Sequence, residues 1–63
     1  MFDKKSLDAM FEELRNEYEL DPDWEDVERA AHLAVAYSDA GLSLRDKKVD
    51  SRIIAAVERH RPD

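Results

Sequence analysis

The sequence predicts an all-α fold, a small three-helix bundle formed by one domain over residues 1–63. Apolar residues recur at the three- and four-residue spacing of amphipathic helices. The chain has only one glycine and two prolines, too few turn residues for a fold made of many short strands. Hydrophobic residues make up 43% of the chain, which is more than a disordered segment carries.

Helix one is predicted from Lys4 to about Glu19. Asp3 suits the N-cap position, and this places Phe2 and Leu7 at the two positions of a hydrophobic staple. The apolar stripe of this helix consists of Leu7, Met10, Phe11, Leu14 and Tyr18. We expect this stripe to face the core.

Helix two is predicted from Pro22 to about Ala40, with Asp21 as its cap and Gly41 as the residue that ends it. Proline suits the first helical position and glycine the position just past the last turn. Its apolar residues are Trp24, Val27, Ala30, Ala31, Leu33, Ala34, Val35 and Tyr37. They cover more than half of the circumference, which predicts a central helix with neighbours on two sides.

The last third is predicted to be interrupted. Ser43 is expected to cap a short extra turn that ends near Lys48, and Asp50 to cap a final helix to about His60. The alternative is one continuous helix from Leu44. The interrupted version is preferred because, in a continuous helix, Leu44 would point away from the later apolar residues.

Charge is distributed unevenly along the chain. The net charge is −6, divided as −8 over residues 1–40 and +2 over residues 41–63. Nine acidic residues and one arginine lie between Glu12 and Glu28. Because an antiparallel hairpin would bring these residues to one end, we predict a partner-binding surface there. Its predicted residues are Glu12, Glu13, Glu17, Glu19, Asp21, Asp23, Trp24, Glu25, Asp26 and Glu28.

A simpler interpretation is that these acids only keep the protein soluble and cap helix two. Capping accounts for Asp21, Asp23, Glu25 and Asp26. It does not account for the crowded acids of helix one, whose mutual repulsion costs a few tenths of a kcal/mol per pair. Trp24 is expected to pack in the core, with a role as an interface anchor as the alternative.

Most chemical functions are not indicated by the sequence. The chain has no cysteine and one glycine, so thiolate metal sites and glycine-rich phosphate loops are excluded. Glu28 and His32, with Asp39 further along, are expected to be ordinary surface residues rather than a metal site. We therefore expect no enzymatic activity, no cofactor and no metal. The sequence has no apolar run long enough to span a membrane and no apolar stretch typical of a signal peptide near Met1, so we expect a cytoplasmic protein without a membrane segment.

The leading hypothesis is a non-enzymatic interaction protein that docks its acidic end on a basic protein surface. One version is an inhibitor or regulator of a nucleic-acid-binding protein, whose phosphate-binding groove the carboxylates would occupy. A small accessory or oligomerisation module with apolar contacts, such as a homodimer, is the first alternative. The second is a helix-turn-helix DNA-binding protein that uses Lys47, Lys48 and Arg52. Direct nucleic-acid binding is disfavoured by the acidic half.

Overall fold

A computed structural model describes residues 1–20 and 23–62. It contains three helices, α1 (Lys4–Glu17), α2 (Trp24–Asp39) and α3 (Ser51–His60), and no strand within those residues. The predicted all-α, three-helix fold is therefore confirmed. None of the helices in the described ranges combines the length and the apolar composition that crossing a bilayer requires.

The predicted start of α1 is confirmed. The Asp3 side chain accepts a hydrogen bond of 2.8 Å from the Ser6 amide and so satisfies one of the free N–H groups of the first turn. Phe2, just before the cap, is buried in the core. The helix ends at Glu17, two residues before the predicted end, and the backbone turns at Tyr18.

The N-terminus of α2 lies at Trp24, and Asp23 occupies the N-cap position. The Asp23 carbonyl accepts from the Asp26 amide at 3.0 Å, which begins the helical hydrogen bonding. The predicted cap at Asp21 and the predicted helix start at Pro22 lie outside the described residues.

Gly41 ends α2 as predicted, because it supplies the left-handed backbone that closes the helix. Its φ is +77°. The Gly41 amide donates to the Ser38 carbonyl at 3.0 Å, and the Leu42 amide donates to the Tyr37 carbonyl at 2.9 Å. These two bonds form a Schellman motif and satisfy carbonyls of the last turn.

The segment between α2 and α3 is interrupted, as predicted. The Ser43 hydroxyl accepts from the Arg45 amide at 3.3 Å, and the Lys47 amide donates to the Leu44 carbonyl at 3.1 Å. These bonds make a single turn that buries Leu44. Asp50 then caps α3, and its side chain accepts from the Arg52 amide at 2.8 Å.

The central helix is α3, so the prediction that helix two is central was wrong. Helix α3 packs closely against both α1 and α2, and its Ile53, Ala56 and Val57 are almost completely buried. Helices α1 and α2 approach each other less closely. The described contacts between them include the Phe11 and His32 rings, whose centroids lie 4.8 Å apart.

The second error concerns the wide apolar arc of α2. Its buried face consists of Val27, Ala31, Ala34, Val35 and Ser38. Leu33, which was expected to be covered, is 50% exposed, while Ala30 and Tyr37 beside it are partly buried. Helix α1 lies on the other side of α2, next to Trp24 and His32. No described element covers Leu33.

Helices α1 and α2 run in opposite directions. At one end, the Phe2 amide donates to the Asp39 carboxylate at 3.1 Å. At the other end, the Arg15 guanidinium lies 4.9 Å from the centre of the Trp24 ring. The last turn of α1 and the first turn of α2 therefore lie at the same end of the molecule, as predicted from the sequence for an antiparallel hairpin.

Candidate protein-binding surface

The predicted surface residues differ in exposure. Glu13 and Trp24 are partly buried, and Asp21 lies outside the described residues. The exposed residues are Glu12, Glu17, Glu19, Asp23, Glu25, Asp26 and Glu28. The structure therefore leaves most of the predicted carboxylates accessible to a partner.

Glu13 is held inside the fold by two basic side chains from the end of α3. Its Oε2 lies 2.5 Å from Arg59 Nη1, and its Oε1 lies 2.9 Å from His60 Nε2. The hydrogen bond with His60, and then the contacts with Arg59, lower the pKa of Glu13 below its ordinary value of 4.5. Glu13 thus links α1 to α3, and its side chain is only 24% exposed.

A second group of charges joins the end of α1 to the start of α3. The Arg52 guanidinium lies 4.0 Å from the centre of the Tyr18 ring, and its Nη2 is 3.2 Å from Asp50 Oδ2. Hydrogen bonds from Arg52 lower the pKa of Asp50. Burial, followed by the negative charge of Asp50, raises the pKa of Tyr18. The negative charge of Glu17 acts on Arg52 as well, so α3 neutralises the acids of α1 that face it.

The acids beyond reach of α3 form a separate surface. We call this the acidic end, and it comprises Glu19, Asp23, Glu25, Asp26 and Glu28. Asp26 Oδ1 pairs with Arg29 Nη1 at 3.2 Å, but both side chains are more than two-thirds exposed, so the pair is weak. Within the described residues, no ion pair is formed by Glu19, Glu25 or Glu28. Their negative charge is therefore directed to solvent.

Trp24 lies at the centre of the acidic end. It packs against the core on one side, as favoured from the sequence, and forms one wall of an open depression of about 250 Å³. The depression is lined by Asp23, Trp24, Glu25 and Asp26. The indole N–H is buried and has no hydrogen-bond partner among the described residues. A carboxylate-lined depression with an aromatic wall suits a basic side chain.

Sequence reasoning missed Leu20 and Arg15. Leu20 is 95% exposed beside the acidic end, and Arg15 stacks on the Trp24 ring. A signal for Leu20 was available, because it falls outside the apolar stripe of helix one. No sequence signal locates the Arg15–Trp24 contact, which depends on how the two helices pack.

Residues considered for other functions have local partners. The Lys47 ammonium lies 4.9 Å from the centre of the Tyr37 ring, and Arg52 is engaged with Asp50 and Tyr18. The His32 ring packs on Phe11. In residues 1–20 and 23–62, no three histidine or carboxylate side chains gather as a metal site would require.

Comparisons with known proteins do not assign this arrangement to a family. No protein-family model, curated protein sequence or solved structure matches the chain.

Proposed function

We propose that this protein is a non-enzymatic interaction protein whose acidic end binds a basic surface on a partner protein. The observation that supports this most is that the acidic side chains fall into two groups, one facing α3 and one at the acidic end. The acids facing α3 are balanced by Arg52 and Arg59, and His60 shares a hydrogen bond with Glu13. Within the described residues, Glu19, Glu25 and Glu28 of the acidic end form no ion pair, and the basic side chains beside them are Arg29, paired with Asp26, and Arg15 on the Trp24 ring. A net negative field of this kind accelerates encounter with a basic partner.

The shape of the acidic end supports a partner that inserts a lysine or arginine side chain. The depression beside Trp24 supplies carboxylates and an aromatic wall. Leu20, at 95% exposure, adds an apolar contact next to the charges. A central apolar or aromatic anchor within a polar rim is the usual arrangement of a binding hot spot.

The more specific version is a regulator or inhibitor of a nucleic-acid-binding protein. Carboxylates presented at one end of a helical hairpin can occupy a groove that otherwise binds phosphates. Direct binding of this chain to DNA has less support. Lys47 and Arg52, two of the three residues it would use, are engaged with Tyr37 and with Asp50 and Tyr18.

Capture experiments with matched charge variants test the proposal. The immobilised protein is incubated with a cell extract at low salt, and the captured partner is identified, purified and titrated. The test variant carries Glu19→Gln, Glu25→Gln and Glu28→Gln. The control neutralises three exposed acids elsewhere, Asp8→Asn, Asp46→Asn and Glu58→Gln, so both variants have the same net charge. We expect a basic partner whose affinity falls at least about tenfold in the test variant only.

Salt and nucleic acid distinguish the versions of the proposal. Binding should weaken steeply between about 50 and 500 mM salt, because exposed charges are screened over this range. If the partner's phosphate-binding groove is occupied, a short DNA or RNA duplex should displace the protein. Binding that is insensitive to salt, or equally affected by both variants, contradicts the proposal.

A further inference from the structure

The Trp24 ring already holds one cation that belongs to the protein itself. The Arg15 guanidinium lies 4.9 Å from the centre of the ring, within the distance of about 6 Å at which a cation–π contact forms. Arg15 is exposed, and Glu12 lies three positions before it on α1, a spacing at which helical residues form ion pairs. Within the described residues, Arg15 nevertheless forms no ion pair. The guanidinium therefore occupies the aromatic ring in preference to a neighbouring carboxylate.

The surroundings of the ring suit a guanidinium better than an ammonium ion. Because Trp24 packs against the core on one side, a cation can stack on it from the other side only, and Arg15 lies there. The carboxylates of Asp23, Glu25 and Asp26 line the depression that has Trp24 as a wall. A planar guanidinium can stack on the indole while its edge donates to a carboxylate, whereas an ammonium ion is a compact point charge.

We infer that Arg15 holds the position of an arginine side chain of the partner, which displaces Arg15 from Trp24 on binding. The inference rests on the proposed function, because it concerns the same acidic end. It adds the chemistry of the partner's anchoring residue and a contact within the chain that opposes binding. Since Arg15 is exposed on α1, its release leaves the core in place.

The contact should weaken the binding of arginine more than that of lysine. An arginine that stacks on the ring must first displace Arg15, which lowers its affinity about two- to fivefold, the equilibrium factor of one exposed cation–π contact. A lysine can bind the carboxylates as a point charge and leave the ring to Arg15. Removal of the Arg15 guanidinium should therefore favour arginine selectively.

Titration of two basic peptides of equal charge tests the inference. One peptide has an arginine between flanking lysines, and the other has a lysine in its place. Calorimetry at low salt gives both affinities, and the fluorescence of Trp24, the only tryptophan in the chain, reports contact with the ring. Arg15→Gln should raise the affinity of the arginine peptide, relative to that of the lysine peptide, by about two- to fivefold.

Arg29→Gln is the matched control. It also removes a positive charge beside the acidic end, but Arg29 pairs with Asp26 at 3.2 Å. This change should therefore raise the affinities of both peptides by the same factor and leave their ratio unchanged. Far-UV circular dichroism checks that both variants remain helical.

The variant with Glu19→Gln, Glu25→Gln and Glu28→Gln tests the acidic end separately and should weaken both peptides. If it does so while Arg15→Gln leaves the affinity ratio unchanged or lowers it, the acidic end binds basic side chains and the inference about Arg15 is overturned. A ratio that rises equally in Arg29→Gln also overturns it, because net charge then explains the effect. If neither peptide binds below about 1 mM, the proposed function fails together with the inference.

Discussion

Glu12 and Glu13 are adjacent in sequence but lie in different surroundings. Glu12 is exposed and forms no ion pair within the described residues. Glu13 is bound by Arg59 and His60 from α3. Between Glu12 and Glu28, an acidic side chain therefore either links two helices or faces solvent. Which of the two it does depends on whether it lies on the side of its helix that faces α3.

The two groups of acidic residues are therefore expected to have different roles, one in stability of the fold and the other in the proposed partner binding. The acids near α3 contribute to a fold that, at 63 residues, has little stability to spare. The acids of the acidic end contribute charge to the surface. Substitutions in the first group should change unfolding, and substitutions in the second should change partner binding with little effect on unfolding.

The largest expected change in stability comes from Glu13→Gln. It removes the charge that Arg59 and His60 share, and we expect the free energy of unfolding to fall by about 1–2 kcal/mol. Glu12→Gln is the matched control, since it removes the same charge one position earlier and should change stability by less than about 0.5 kcal/mol. Urea unfolding followed by circular dichroism measures both. Equal effects of the two substitutions would show that the Glu13 contacts are not stabilising.

The contribution of Glu13 should depend on pH. Its pKa is lowered in the folded protein from the ordinary 4.5, so folding favours its charged form. That stabilisation is present above about pH 4.5 and is lost as pH falls through the lowered pKa. The stability difference between the wild type and Glu13→Gln should therefore be fully present above about pH 5.5 and should shrink toward pH 3. Urea unfolding at several pH values provides the test, and a constant difference would contradict it.

The start of α1, the end of α2 and the start of α3 were predictable because they depend on residues close in sequence. Asp3 and Asp50 cap the helices that follow them, and Gly41 closes α2. Each requires a particular side chain, or the lack of one, within a few positions. The hairpin that gathers the acids could be predicted for the same reason.

The sequence could not predict which helix is central or which acids are neutralised. Both depend on contacts between distant residues, such as Glu13 with His60, which are 47 positions apart. The apolar arc of α2 was taken to require two helical neighbours within the chain. Leu33 is instead exposed, because an apolar pattern says that a residue favours burial without saying what buries it.

The smallest change in stability is expected at the acidic end, where Glu28→Gln distinguishes the two regions most directly. Glu28 is exposed, and Glu25 lies one turn before it, so removing its charge relieves repulsion worth a few tenths of a kcal/mol. The variant should be as stable as the wild type or slightly more stable, while binding of the captured partner weakens. Urea unfolding and titration of the same sample measure both properties. A loss of stability comparable to that of Glu13→Gln would mean that the acidic end also supports the fold, because only a stabilising contact of Glu28 could outweigh the relief of repulsion.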